Sequence, residues 1–122
     1  MTAQRRTVLM AMVASAAAGL AAPAAATEYA PIDCARASSP SETAICANYV
    51  LGQDEARMAT LYQWTTSLVA MGQRGALRDQ QAVFLKDRAA CGSDVKCIGQ
   101  LYEARIDQLE AVMQRIRQHG PF

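Results

Sequence analysis

Apolar positions between residues 49 and 118 recur in alternating steps of three and four, the repeat that places one face of a helix against a core. In the first run they are Leu51, Met58, Leu61 and Leu68, with Asp54 and Thr65 at the intervening seam positions and Gly72 and Gly75 marking the end. The second run is Leu77, Gln81, Phe84, Arg88 and Cys91, closed by Gly92-Ser93-Asp94, in which Ser93 or Asp94 serves as the next cap. The third is the most regular. Ile98, Tyr102, Arg105, Leu109, Val112 and Ile116 keep the seam for almost three heptads, broadened by Leu101, Ile106 and Met113. A short helix precedes all three, with Ser39 as N-cap, Pro40 at the first helical position and Glu42 completing a capping box. Asn48 is placed to cap the helix that follows. No strand alternation and no internal repeat follows residue 26. Links of three or four residues join only antiparallel neighbours, so the pattern predicts an all-α, up-down-up bundle of three long helices plus a short N-terminal one.

Residues 1–26 are patterned differently. Arg5 and Arg6 precede an apolar run from Thr7 to Leu20, and Ala24-Ala25-Ala26 follows Pro23, the layout of a secretory signal with cleavage near Ala26. The apolar run is shorter than the roughly 20 residues that span a bilayer, so no stable membrane insertion is expected after cleavage. The arginine pair is compatible with general or twin-arginine export. The predicted organisation is therefore a signal peptide at 1–26, an extended lead-in at 27–39, a helical domain at 40–118 and a tail at 119–122, with the mature protein periplasmic or secreted. Removing the leader takes two arginines from the 12 Lys+Arg and none of the 11 acids, which turns a net charge of +1 into −1. Both signs are interspersed, a pattern that excludes the concentrated positive surface a nucleic-acid partner needs.

Export changes the meaning of the four cysteines. An even number in a small exported domain predicts two disulfides. The twelve- and six-residue separations of Cys34 to Cys46 and Cys91 to Cys97 do not resemble paired metal-ligand motifs, so no metal is predicted. A tight turn brings Cys91 to Cys97, and Cys34–Cys46 ties the lead-in to the short helix. Crossed pairings stay open, because all four cysteines lie toward one end of the bundle. The only histidine, His119, stands in the tail Gln118-His119-Gly120-Pro121-Phe122. No Ser-His-Asp or Cys-His arrangement is available, so neither an enzyme nor a cofactor is predicted.

Each seam carries a polar residue where packing alone asks for an apolar one: Asp54, Gln81, Arg88 and Arg105. A buried charge needs a partner, so these four predict an interior polar network, with Asp54 paired to one arginine and Glu42, Glu55 or Glu103 able to complete it. Two further residues are candidates for contact with a partner. Arg74 stands in the glycine-flanked stretch Met71-Gly72-Gln73-Arg74-Gly75, read as a loop at the tip of the bundle. Trp64 falls off the seam, whereas Tyr62 next to it belongs to the core.

The ordered set Asp33-Cys34-Ala35-Arg36-Ala37-Ser38, Glu42-Thr43-Ala44-Ile45-Cys46, Leu51-x-x-Asp54-x-x-x-Met58-x-x-Leu61-Tyr62, Gln81-x-x-Phe84-Leu85-x-x-Arg88-x-x-Cys91, then Cys97 and Tyr102-Glu103-Ala104-Arg105-Ile106-x-x-Leu109 resembles the LprI N-terminal-like family of small exported bacterial domains. The resemblance covers nearly the whole mature chain. It departs from the family at Phe84, where Trp is usual, at Ala89, often an acid, and at Asn48-Tyr49, often Asp-Pro. The namesake of the family is a lipoprotein inhibitor of lysozyme, and this chain lacks its lipid-attachment cysteine. The resemblance implies a protein-binding module whose partner is lysozyme or another cell-wall hydrolase. The alternative is a structural or stress-related envelope protein with a different protein partner and no lysozyme inhibition.

Overall fold

The computed structural model describes residues 29–120, and the predicted signal peptide lies outside the described residues. Four helices follow one another: α1 (Pro40–Ala47), α2 (Tyr49–Leu68), α3 (Met71–Ala90) and α4 (Val95–His119). Three of the four start signals, those of α1, α2 and α4, are the ones the sequence carries; α3 begins after Ala70 with no side-chain cap. The Ser39 hydroxyl accepts from the Glu42 N–H at 3.2 Å, Asn48 Oδ1 accepts from the Leu51 N–H at 3.1 Å, and Asp94 Oδ1 accepts from the Cys97 N–H at 3.0 Å. The Glu42 carboxylate reaches back to the Ser38 N–H rather than to that of Ser39, a box one residue wider than expected. Gly92, with φ of 58°, turns the chain between α3 and α4, a left-handed conformation that a side chain would disfavour.

The contacts fix the topology. Leu51 lies against Gly99, Glu55 against Tyr102 and Arg57 against Glu110, so α2 and α4 advance in the same direction. Arg88 meets Glu55 whereas Gln81 meets Met58, and Leu77 meets Arg105 whereas Phe84 meets Tyr102, so α3 runs against both. This is the up-down-up arrangement. Its core is built on Met58, Ile98, Tyr102 and Leu109, all fully buried, with Ile45 of α1 and Val69 closing the ends. The cysteines pair as Cys34–Cys46 and Cys91–Cys97, both with Cα atoms 5.7 Å apart, and both bridges lie at the end where α2 and α4 begin.

Three expectations are corrected. Gly72 and Gly75 do not end α2; the break is at Val69 and Ala70, and the glycines belong to the first turns of α3. The cause is local. Thr65 and Thr66 turn their hydroxyls onto the carbonyls of Leu61 and Tyr62, and extended Val69 drops its side chain into the core. The second correction concerns the seam of α2, whose buried face runs Leu51, Glu55, Met58, Tyr62, Thr65 and Val69. Asp54, Leu61 and Leu68 stand one position round, on its flank. The tail also begins later than expected, since α4 continues to His119.

Candidate functional site

The interior polar network is present, but its acid is Glu55 and not Asp54. Glu55 is 5% exposed, and four donors converge on its carboxylate. Oε1 accepts from the Tyr29 hydroxyl and from the Ile32 N–H at 3.2 Å. Oε2 accepts from the Tyr102 hydroxyl and from Arg88 Nη1 at 3.3 Å. The same Nη1 donates to the hydroxyls of Tyr29 and Tyr102 at 3.1 Å each, and the guanidinium lies 5.9 Å from the Phe84 ring centre. Asp54 is displaced because a helix face admits either of two adjacent positions at alternate steps. At this level α3 and α4 present Arg88 and Tyr102 to position 55.

This cluster joins the lead-in, α2, α3 and α4 at one point. Tyr29 is the part that the sequence pattern leaves hidden, because a single tyrosine in an aperiodic segment has no seam to belong to. Its ring meets that of Tyr62 edge-on at 6.3 Å. The lead-in from Tyr29 to Cys34 therefore forms a strap, anchored in the core at one end and to α1 by a disulfide at the other. A turn at Asp33 closes it, with Asp33 Oδ2 accepting from Arg36 Nε at 2.9 Å.

Burial, reinforced by the facing Glu55 carboxylate, raises the pKa of Tyr29 and of Tyr102 well above the ordinary tyrosine value of 10.0. Burial alone disfavours the Arg88 cation, and the Tyr102 and Tyr29 oxygens outweigh it, so its pKa is raised. A group whose pKa is higher folded than unfolded contributes stability below its unfolded value and loses it above. The fold should accordingly lose stability from about pH 10 upward as the unfolded-state tyrosines ionise. Melting at pH 8, 10 and 11, with tyrosinate absorbance followed in parallel, checks this. A melting temperature that stays level over that range, in wild type and in a Tyr29→Phe variant alike, contradicts it.

Gln81 and Arg105 form a second polar group one to two turns further along. Arg105, 2% exposed, donates from Nε to Gln81 Oε1 at 3.0 Å, from Nη1 to Gln80 Oε1 at 3.3 Å and Gln108 Oε1 at 3.2 Å, and from Nη2 to the Leu77 carbonyl at 3.2 Å. All four acceptors are neutral. Burial lowers the pKa of Arg105. The two predicted arginines thus lie in separate surroundings, Arg88 ion-paired and Arg105, among the described residues, bonded to neutral acceptors. Gln81 also donates to the Met58 sulfur at 3.4 Å.

Arg74 is not at a loop tip, which corrects the sequence expectation. It lies in the first turn of α3 and folds back onto α2, its Nε donating to the Thr66 carbonyl at 2.7 Å and its Nη2 to the Val69 carbonyl at 3.3 Å. It thereby satisfies carbonyls that the end of α2 leaves without helical partners. Trp64 is 56% exposed on the outer side of α2, and Tyr62 is buried. Leu68 follows Trp64 by one turn, and Met71, 83% exposed, begins α3 just beyond. Among the described residues no group of three or more His, Cys, Asp or Glu side chains is placed to hold a metal ion, and no helix is long and apolar enough to cross a membrane. No family model, curated protein or solved structure matches the chain.

Proposed function

We propose that the chain is an exported protein-binding module of the LprI N-terminal-like kind, and that its target is a lysozyme-type cell-wall hydrolase whose cleft it occludes. The observation that carries the protein-binding reading is the exposed apolar group Trp64, Leu68 and Met71. It lies at the end of the bundle remote from both disulfides, about 22 Å along α2 from its start. A large aromatic held on a rigid helix, with exposed Leu68 one turn along and exposed Met71 opening the next helix, has the composition of an interface anchor. The two disulfides fit a chain that works outside a reducing compartment. The ordered sequence motifs supply the choice of lysozyme as target. Arg74 is committed to α2, so Trp64 is the residue assigned to contact.

Titration of the oxidised protein against a c-type lysozyme, following lysis of a cell-wall substrate, tests the reading. Inhibition should saturate near one-to-one. Trp64→Ala should weaken it by roughly thirtyfold or more, the loss of an anchor worth about 2 kcal/mol. Its folding stability should change by no more than about 0.5 kcal/mol, because the ring contributes little to the core. Absence of inhibition at large excess removes lysozyme as target and leaves a different envelope protein as the partner of the same surface.

A further inference from the structure

Among the described residues, Arg105 is a buried cation whose hydrogen-bond partners are all neutral oxygens. The other buried arginine, Arg88, faces a carboxylate at 3.3 Å, so the bundle carries one compensated and one uncompensated interior charge. Two of the acceptors of Arg105, Gln80 and Gln108, are exposed side chains, bonded to Nη1 at 3.3 and 3.2 Å. They are also where two hollows on the outer side of α3 and α4 meet. One, of about 330 Å³, is walled by Val83, Phe84, Leu101 and Ala104 and reaches Arg105. The other, of about 500 Å³, continues along Ala76, Ala111 and Val112 to Arg115. Together they make a groove that is apolar at one end, with a guanidinium at its middle screened by two displaceable amides.

The geometry points to this groove as the docking site for an acidic peptide segment of a partner protein, an aliphatic side chain seated against Val83 and Leu101 and a carboxylate on Arg105. The carboxylate would replace the amide oxygens of Gln80 and Gln108 with a charge-assisted pair, the interaction the guanidinium lacks. Charge fixes the direction. Asp87 borders the Val83 end and repels a carboxylate there, Asp79 flanks Gln80 on the same hollow, and Arg115 stands beyond the middle and attracts a carboxylate. Val83 itself is 59% exposed, an apolar side chain left open at the mouth of the groove. The groove shares no residue with the Trp64 surface. A failed lysozyme titration leaves this proposal standing, and a failed peptide test leaves the Trp64 surface untouched.

The probes are blocked Leu-Glu-Leu and Leu-Gln-Leu tripeptides and sodium acetate, each titrated into the full ¹⁵N-labelled protein with both disulfides formed. Amide signals of Val83, Leu101 and Gln108 and the Arg105 Nε–H signal should shift with the Glu peptide, with a dissociation constant on the order of millimolar. The Gln peptide should bind at least about tenfold more weakly, since it cannot form the charged pair. Val83→Asp, a surface change that leaves the core intact, should weaken the Glu peptide to a similar extent. Arg105→Gln should abolish its binding, and Val83→Asp carries the test should that variant not fold. Equal shifts from both peptides, no shift with the Glu peptide, acetate binding as tightly as the peptide, or undiminished binding by Val83→Asp would each overturn the proposal.

Discussion

Replacing Glu55 with alanine should destabilise the fold by about 3–5 kcal/mol, because it leaves the Arg88 guanidinium buried without its carboxylate. The loss is compounded by the donors that share that acceptor, the hydroxyls of Tyr29 and Tyr102 and the Ile32 N–H. For a domain of this size the melting temperature should fall by on the order of 15–30 °C. Removing both charges is a different experiment. Glu55→Leu combined with Arg88→Met should recover much of the loss, since a buried ion pair replaced whole by apolar side chains is often near neutral. Urea titration of Glu55→Leu, Arg88→Met and the double variant closes the thermodynamic cycle. A coupling energy near zero, with each single variant melting within a few degrees of wild type, would show that water screens the pair and that the cluster is not the structural centre described here.

The same residues show how far the sequence carries. Three of the four helix starts were legible because capping is local: Ser39, Asn48 and Asp94 each act on a group three residues away, and any of them can be found without knowing the fold. The regular seam of α4 was legible for a similar reason, since Ile98, Tyr102, Leu109 and Ile116 repeat the same face and reinforce one register. The seam of α2 was not, because residues 54 and 55 are both acids and only the facing Arg88 and Tyr102 choose between them. Gly72 and Gly75 misled for a physical reason. Glycine weakens a helix without forbidding it, and here Arg74, bonded across to α2, holds the turn in which both glycines stand. Tyr29 was the least legible of all. Its role depends on a path through space from the Cys34 bridge to the middle of α2, which no periodicity encodes. Trp64 was placed correctly outside the core by spacing alone, and that placement is what makes it available for contact.

The strap that carries Tyr29 gives the second large effect. Cys34 and Cys46 close a loop spanning 12 residues, and removing that bridge by Cys34→Ala with Cys46→Ala should cost about 3 kcal/mol in the chain-entropy model. Cys91 and Cys97 span six, so the corresponding pair of substitutions should cost less, roughly 2 kcal/mol. The difference in kind is larger than the difference in size. Cys91–Cys97 ties two helices that Gly92 and the Asp94 cap already join, whereas Cys34–Cys46 holds a segment attached otherwise through the Tyr29 hydroxyl and ring, the Ile32 N–H and the Ile32 side chain. Without that bridge the strap must find Glu55 as a segment held to α1 only through the backbone of residues 35–39. Hydrogen exchange at Ile32 should then rise well ahead of global unfolding, while in the Cys91 and Cys97 double variant it should remain tied to the stability of the whole domain. Equal protection of Ile32 in the two variants would mean that Tyr29 alone holds the strap, and that the bridge serves α1 and not the Glu55 cluster.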